Sequence, residues 1–333
     1  MDYVGAQRCK ACHPREFAAQ SASGHAHALS TVESHALAKS FFPDKAVVRK
    51  PGISYRFQHG PDGWEVGILR GVHSMRLPLE WAFGAGSQAV TFVSRMDDDD
   101  YLEFHLSYYT SLRTLDLTPG HTEAEPKKLR DAAGVLYPEF DPEPNLMRCF
   151  QCHSTGPLSL DASLAVQPHE LGVRCEDCHG PGAAHVDAAE AGREARTLID
   201  NPKRLSAEQL NMFCGRCHRA PDATGAAIDW SNSWNVRHEP IYLSRSACFR
   251  KSGGGMSCLT CHDPHAPLNR DTAWYNDRCA ACHRIAAHPK IGKVDVHDCV
   301  GCHMPRVEPR RVLRFTNHWI GVYPAGAVLR PIR

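Results

Sequence analysis

Cys258-Leu259-Thr260-Cys261-His262, Cys279-Ala280-Ala281-Cys282-His283 and Cys299-Val300-Gly301-Cys302-His303 repeat one pattern within 46 residues. The same spacing occurs at Cys9-Lys10-Ala11-Cys12-His13, Cys149-Phe150-Gln151-Cys152-His153, Cys175-Glu176-Asp177-Cys178-His179 and Cys214-Gly215-Arg216-Cys217-His218. Fourteen of the 15 cysteines in the 333-residue chain therefore stand in pairs, each followed at once by histidine. Cys-x-x-Cys-His is the attachment signature of c-type haem. The two thiols add across the porphyrin vinyl groups, and the adjacent imidazole becomes the proximal iron ligand. Chance would give on the order of 0.04 such motifs in a chain of this composition.

Other readings of paired cysteines explain less. Zinc knuckles come in pairs and do not demand His after every one. A disulfide framework would not place every pair at one tight spacing. Thioredoxin-like chemistry needs one Cys-x-x-Cys in a βαβ setting. Seven motifs predict seven covalently attached haems c, one per about 48 residues, so that the macrocycles form much of the core. With 23 Pro and 25 Gly, the expected architecture is a multihaem cytochrome c. Mainly short helices and irregular chain wrap stacked haems, with a small antiparallel β insertion. The formal charge of +1 becomes about −6 in an oxidised holoprotein and about −13 in a reduced one, once propionates and ferric centres are included. That balance excludes a nucleic-acid partner.

No apolar run approaches the roughly 20 residues of a transmembrane helix, and no secretory leader is visible. Covalent haem attachment takes place outside the cytoplasm. The sequence is therefore read as a processed, exported chain, periplasmic or extracellular, with residue 1 following a removed leader.

Three segments follow along the chain. Residues 1–45 hold one motif and a His-rich helical stretch. Residues 46–118 contain no Cys and read as β: Ile53, Tyr55 and Phe57 alternate, the turn His59-Gly60-Pro61-Asp62-Gly63 follows, and Trp64, Val66 and Ile68 alternate again. A second hairpin is expected from Val90 and Phe92 to the segment Leu102 to Tyr108, around the acidic run Asp97 to Asp100. That run reads as a solvated turn rather than a calcium loop, since the Gly and Glu of an EF-hand are missing. Residues 119–333 carry six motifs at steps of 26, 39, 44, 21 and 20 residues, close enough for neighbouring porphyrins to touch.

The chain has 21 His, and seven are proximal, which leaves 14 for the sixth positions of seven irons. That supply favours bis-histidine ligation, with low-spin iron and lower potentials than Met/His ligation gives. Met304 reads as packing, and Gly253-Gly254-Gly255 as a flexible approach to Cys258 rather than a phosphate loop. Cys248, the fifteenth cysteine, reads as a buried free thiol.

Further motifs carry a family likeness. Tyr3-Val4-Gly5 through His13, then Ser23-Gly24-His25-Ala26-His27-Ala28-Leu29, resembles the opening of bacterial multihaem cytochromes related to the tetrahaem cytochrome of ammonia oxidisers. Cys175 to His179 with Gly180-Pro181-Gly182 and His185, Cys258 to His262 with Asp263-Pro264-His265, and Cys299 to His303 with Met304-Pro305 and Phe315-Thr316-Asn317-His318-Trp319 are similar to elements of the same family. These elements recur in multihaem nitrite reductases and hydroxylamine oxidoreductases. The resemblance implies His25, His185, His265 and His318 as distal ligands. The three remaining positions are assigned to His121, His238 and His297, in competition with His288, His169 and His27. In related chains a Gly-x-Gly-x-His element opens the second hairpin; here Gly84-Ala85-Gly86-Ser87-Gln88 ends in Gln.

Two functional classes meet this description. One is electron transfer through the haem chain, with redox partner proteins or with neighbouring copies in a head-to-tail homopolymer. The other is a multihaem reductase or oxidoreductase acting on a small nitrogen or sulfur compound. Complete motifs, with no Cys-x-x-Cys-Lys variant, and surplus His favour electron transfer without assigned catalytic residues.

Overall fold

The computed structural model describes residues 2–44, 46–50, 52–96, 100–137, 147–220, 228–284, 298–310 and 312–332. The chain divides into two compact units, residues 1–199 and residues 200–333.

In the first unit the alternating apolar residues form the expected hairpin. Strands Ile53–Gly60 and Gly63–Arg70 pair in a register that places Tyr55 opposite Ile68 and Phe57 opposite Val66. Gly63, at φ +111°, closes the turn in a region that costs a residue with a Cβ. Strands Val47–Lys50 and His73–Pro78 complete a four-stranded sheet. A second sheet runs in the order Leu29–Thr31, Trp81–Phe83, Ala89–Arg95, Tyr101–Phe104, Gly134–Tyr137. Leu106–Tyr109 pairs with both Ala89–Arg95 and Thr114–Leu117. One apolar core joins Tyr55, Ile68 and Leu77 of the first sheet to Phe92, Phe104 and Tyr108 of the second. Burial of each such side chain contributes about 1.5–3 kcal/mol.

The β region is larger than an insertion at 46–118. Leu29–Thr31 pairs with Trp81–Phe83, and Gly134–Tyr137 pairs with Tyr101–Phe104. Both added strands are three or four residues long, too short to show a period, and both find partners far along the chain. The second expected hairpin is present between Ala89–Arg95 and Tyr101–Phe104, with Val93 opposite Glu103. The segment Leu102 to Tyr108 is divided between two strands, Tyr101–Phe104 and Leu106–Tyr109. Asp97 to Asp99 lie outside the described residues. Two smaller hairpins, Ser154–Leu160 with Val166–Leu171 and Arg306–Arg310 with Leu313–Thr316, follow motifs directly.

The second unit is made of short helices and irregular chain. Its longest described helix, Ala207–His218, has 12 residues and starts with a capping box between Ser206 and Gln209. Its apolar cluster has four fully buried members among the described residues, Val236, Ile241, Tyr242 and Val307, flanked by Trp230 and Trp319. The β core of the first unit has eighteen. With Leu210, Leu243 and Leu313, seven apolar side chains of this unit are buried among the described residues, little to set against the chain entropy of 134 residues. A haem attached at each of this unit's four motifs would add apolar surface to that small core. Among the described residues no helix is long and apolar enough to cross a membrane.

Candidate metal centres

Every motif includes a turn of helix. The amide of His13 donates to Cys9 O at 2.9 Å, that of His262 to Cys258 O at 3.0 Å and that of His283 to Cys279 O at 2.9 Å. A helical turn puts residues i, i+3 and i+4 on one face. Both sulfurs and the imidazole therefore address the same side of the helix, as two thioether bonds and one axial ligand require.

The motifs also meet in pairs. The thiols of Cys9 and Cys175, of Cys214 and Cys258, and of Cys279 and Cys299 lie near enough to shift one another's ionisation. The first motif is thereby set against the third, the fourth against the fifth, and the sixth against the seventh. Specific contacts fix these pairings. Glu176, buried inside the third motif, accepts from the amides of Val4 (3.0 Å), Gly5 (2.8 Å) and Gly182 (2.7 Å). Glu170 accepts from Ala6 N at 3.2 Å. Burial pushes the Glu170 carboxyl above the usual carboxylate range, opposed by the Ala6 amide. In the second unit Cys258 Sγ donates to Asn211 Oδ1 at 3.6 Å. Asn276 Oδ1 accepts from Val300 N of the seventh motif at 3.1 Å.

Two pairs of imidazoles have the spacing of axial ligands. The rings of His13 and His185 are 6.4 Å apart between centroids and 23° from parallel. Those of His262 and His318 are 6.2 Å and 40° apart. Two imidazoles on opposite sides of one metal, each bound at about 2 Å, have centroids about 6 Å apart. Direct ring stacking would bring the centroids closer. The outer ring nitrogens are anchored as well. His185 Nδ1 donates to Ala195 O (2.9 Å), His318 Nδ1 to Thr316 O (3.0 Å), His153 Nδ1 to Ala28 O (2.9 Å) and His303 Nδ1 to Gly321 O (2.8 Å). A carbonyl on Nδ1 fixes the tautomer that leaves Nε2 with a lone pair for iron. His262 is pushed down to about 4, chiefly by burial with His318 beside it, and burial lowers His318 too. Both rings are thus held neutral, as ligation needs.

Other candidate ligands have different settings. His25 is exposed, and its carbonyl accepts from Val173 N at 2.8 Å, which ties its loop to the approach of the third motif. His265 is half-buried, with Nδ1 3.7 Å from Asp263 Oδ1. His238 lies between the turn Ser233–Arg237 and the helix Glu239–Arg245. Burial and the nearby Arg219 and Arg237 lower it to about 4. His121 is buried, with Nε2 3.1 Å from Glu103 Oε2, and its ring tilts against His105 at 5.8 Å. Its Nδ1 is buried without a hydrogen-bond partner. Tyr137 donates to the same Glu103 oxygen at 3.1 Å. His288 and His297 lie outside the described residues. Of the other spare histidines, His169 packs on Tyr3. His35 uses both ring nitrogens on backbone, Nε2 on Gly84 O and Nδ1 on Leu37 N, each at 3.0 Å.

His218, of the fourth motif, differs from the anchored imidazoles above. Its Nδ1 faces a carboxylate, 3.3 Å from Glu239 Oε2. Burial opposes ionisation of Glu239, but the His218 contact and the neighbouring His318 hold it below the usual carboxylate range. Glu170, Glu176 and Glu239 carry no motif signal in the sequence; only the fold brings them to the centres. Among the described residues no three His, Cys, Asp or Glu gather as a site for a bare metal ion, so the paired cysteines do not assemble zinc-type tetrads.

Residues 121–180, which span the second and third motifs, match the family described as cytochrome c554 and c-prime. The fold is similar to that of the outer cell wall cytochrome OcwA, with a TM-score of 0.51 at 15% identity over 96% of this chain and 80% of that one. No curated protein matches the chain in sequence.

Proposed function

We propose that this multihaem c-type cytochrome relays electrons through seven haems c, attached at Cys9/Cys12, Cys149/Cys152, Cys175/Cys178, Cys214/Cys217, Cys258/Cys261, Cys279/Cys282 and Cys299/Cys302. Haem c, when bound, supplies a one-electron ferric/ferrous couple at each position. The proximal imidazoles are His13, His153, His179, His218, His262, His283 and His303. His185 stands opposite His13, and His318 opposite His262. His25 and His265, with His121, His238 and His297, complete the distal set.

The observation that carries this reading is the proximity of motifs: three pairs of cysteines from different motifs lie within electrostatic reach of one another, and Glu176 of the third motif binds the amides of Val4 and Gly5 beside the first. Macrocycles bonded to sulfurs this close would be near neighbours, which is what conduction requires and single-site catalysis does not. The site of action is the periplasm or the cell exterior, in keeping with covalent haem attachment and with the likeness to an outer cell wall cytochrome. Redox partner proteins or further copies of the chain, stacked head to tail as a heterologous, non-closing contact, take up and deliver electrons at the ends. Negative-stain microscopy of the native protein separates filaments from discrete particles.

A second reading rests on the partly buried cluster His105, His121, Glu103 and Tyr137. Glu103 and Tyr137 lie within electrostatic reach of Cys149 in the second motif. Acid–base groups beside one haem are what a reductase of small nitrogen or sulfur compounds would use. Turnover of nitrite, hydroxylamine or sulfite at about 1 per second or faster would favour it. Their absence as substrates leaves the relay.

A further inference from the structure

We propose that Glu239 is a positioning residue that sets the potential of the haem at Cys214/Cys217 below those of its neighbours, through the carboxylate charge it places beside the outer nitrogen of that haem's proximal ligand, His218. The inference rests on the reading that His218 binds iron through Nε2.

The imidazoles of this chain differ in what faces their outer nitrogens. His153 and His303, two other proximal residues, set Nδ1 against the neutral carbonyls of Ala28 and Gly321, as do His185 and His318 with those of Ala195 and Thr316. Only His218 among these five has a carboxylate there, with Nδ1 3.3 Å from Glu239 Oε2. The Oε2 atom is itself buried, and its alignment with His218 falls short of a full hydrogen bond. A carbonyl fixes the tautomer; a carboxylate charge beside Nδ1 also makes the ring a stronger donor to the iron. A more basic imidazole donates more strongly to ferric than to ferrous iron and so favours the oxidised centre.

The carboxylate is held in place from both sides. Glu239 is the first residue of the helix Glu239–Arg245, whose Pro240, Ile241, Tyr242 and Leu243 are buried. Asn211, on the same helix as His218, donates from Nδ2 to Pro240 O at 3.1 Å. The helix bearing the ligand and the helix bearing the carboxylate are therefore clamped one residue away from the contact. His318, opposite His262 of the fifth motif, also feels the Glu239 charge, but its own Nδ1 is committed to Thr316 O. A strong effect on the fourth centre and a weaker one on the fifth follow from this arrangement.

The test uses the full holoprotein with Glu239→Gln, which keeps size and removes charge, and Glu239→Asp, which keeps charge. Haem content per chain is measured first, by pyridine haemochrome; a wild-type protein without haem would fault the proposed function rather than this inference. With full haem content in both variants, spectroelectrochemical titration is expected to show one centre of Glu239→Gln with its reduced-to-oxidised ratio at fixed potential raised about tenfold or more, equivalent to about 59 mV for a one-electron couple. A second centre should move less, and Glu239→Asp should stay nearer wild type. One low-spin ferric electron paramagnetic resonance signal should shift together with that centre. Superimposable titrations, or a shift spread evenly over all centres, would overturn the proposal. So would loss of one haem in Glu239→Gln, which would make the residue a structural support.

Discussion

Glu176 accepts a 2.8 Å hydrogen bond from the amide of Gly5, 171 residues earlier in the chain. With Val4 and Gly182 as further donors, one carboxylate inside the third motif docks the first motif against it. Charge-assisted hydrogen bonds contribute about 1.5–3 kcal/mol each, and orphaning buried donors costs as much again. Glu176→Ala should therefore lower stability by about 3 kcal/mol or more. Limited proteolysis should release the N-terminal haem peptide from the variant before any other haem peptide, at protease levels that leave the wild type intact.

Ligation can be read one centre at a time. His185→Met should raise the potential of the haem at Cys9/Cys12 by on the order of 0.1 V, because thioether ligation favours ferrous iron. The other centres should move far less. An unchanged redox titration would remove His185 from the ligand set.

The two nominated rings differ in how legible they were. Gly180-Pro181-Gly182 and His185 mark an element that resembles known distal ligands, yet nothing local says that its partner is His13, 172 residues away. That pairing comes from the Glu176 clamp and from the meeting of Cys9 with Cys175, both non-local. The hairpin Ile53–Gly60 to Gly63–Arg70 was legible because alternation and a turn sequence are local signals. The strands Leu29–Thr31 and Gly134–Tyr137 were not, since three or four residues carry no period. The His121 position shows the limit at the site itself. Sequence offers a spare His, while the fold sets its Nε2 against Glu103.

Acid should weaken the β unit through His35. Its Nε2–H donates to Gly84 O, and its Nδ1 accepts from Leu37 N–H, so the fold requires the neutral ring. Burial lowers its pKa, with the Gly84 carbonyl opposing. The unfolded chain, at about 6.5, then binds the proton more readily than the folded one, so stability rises with pH across the window between the two values. The contribution is complete above about 6.5 and is lost as pH falls from there through the folded value. Denaturant midpoints followed by far-ultraviolet circular dichroism should show this slope, and His35→Gln should flatten it.

Cys248 is the one cysteine outside the motifs, and burial raises its thiol. With all fourteen motif sulfurs in thioether bonds, denatured holoprotein should titrate one thiol per chain, and native protein should label slowly at pH 7. Each missing haem would add two reactive thiols, and peptide mapping would name the motif.

The central claim is that every motif carries a working one-electron centre. Anaerobic coulometric reduction of the holoprotein, followed in the haem absorption bands, measures this directly. The expected result is seven electron equivalents per chain from a predominantly low-spin ferric protein, with all haems reducible in the absence of any substrate. Six or fewer equivalents, or a haem fraction that stays ferric until a substrate is added, would contradict the relay.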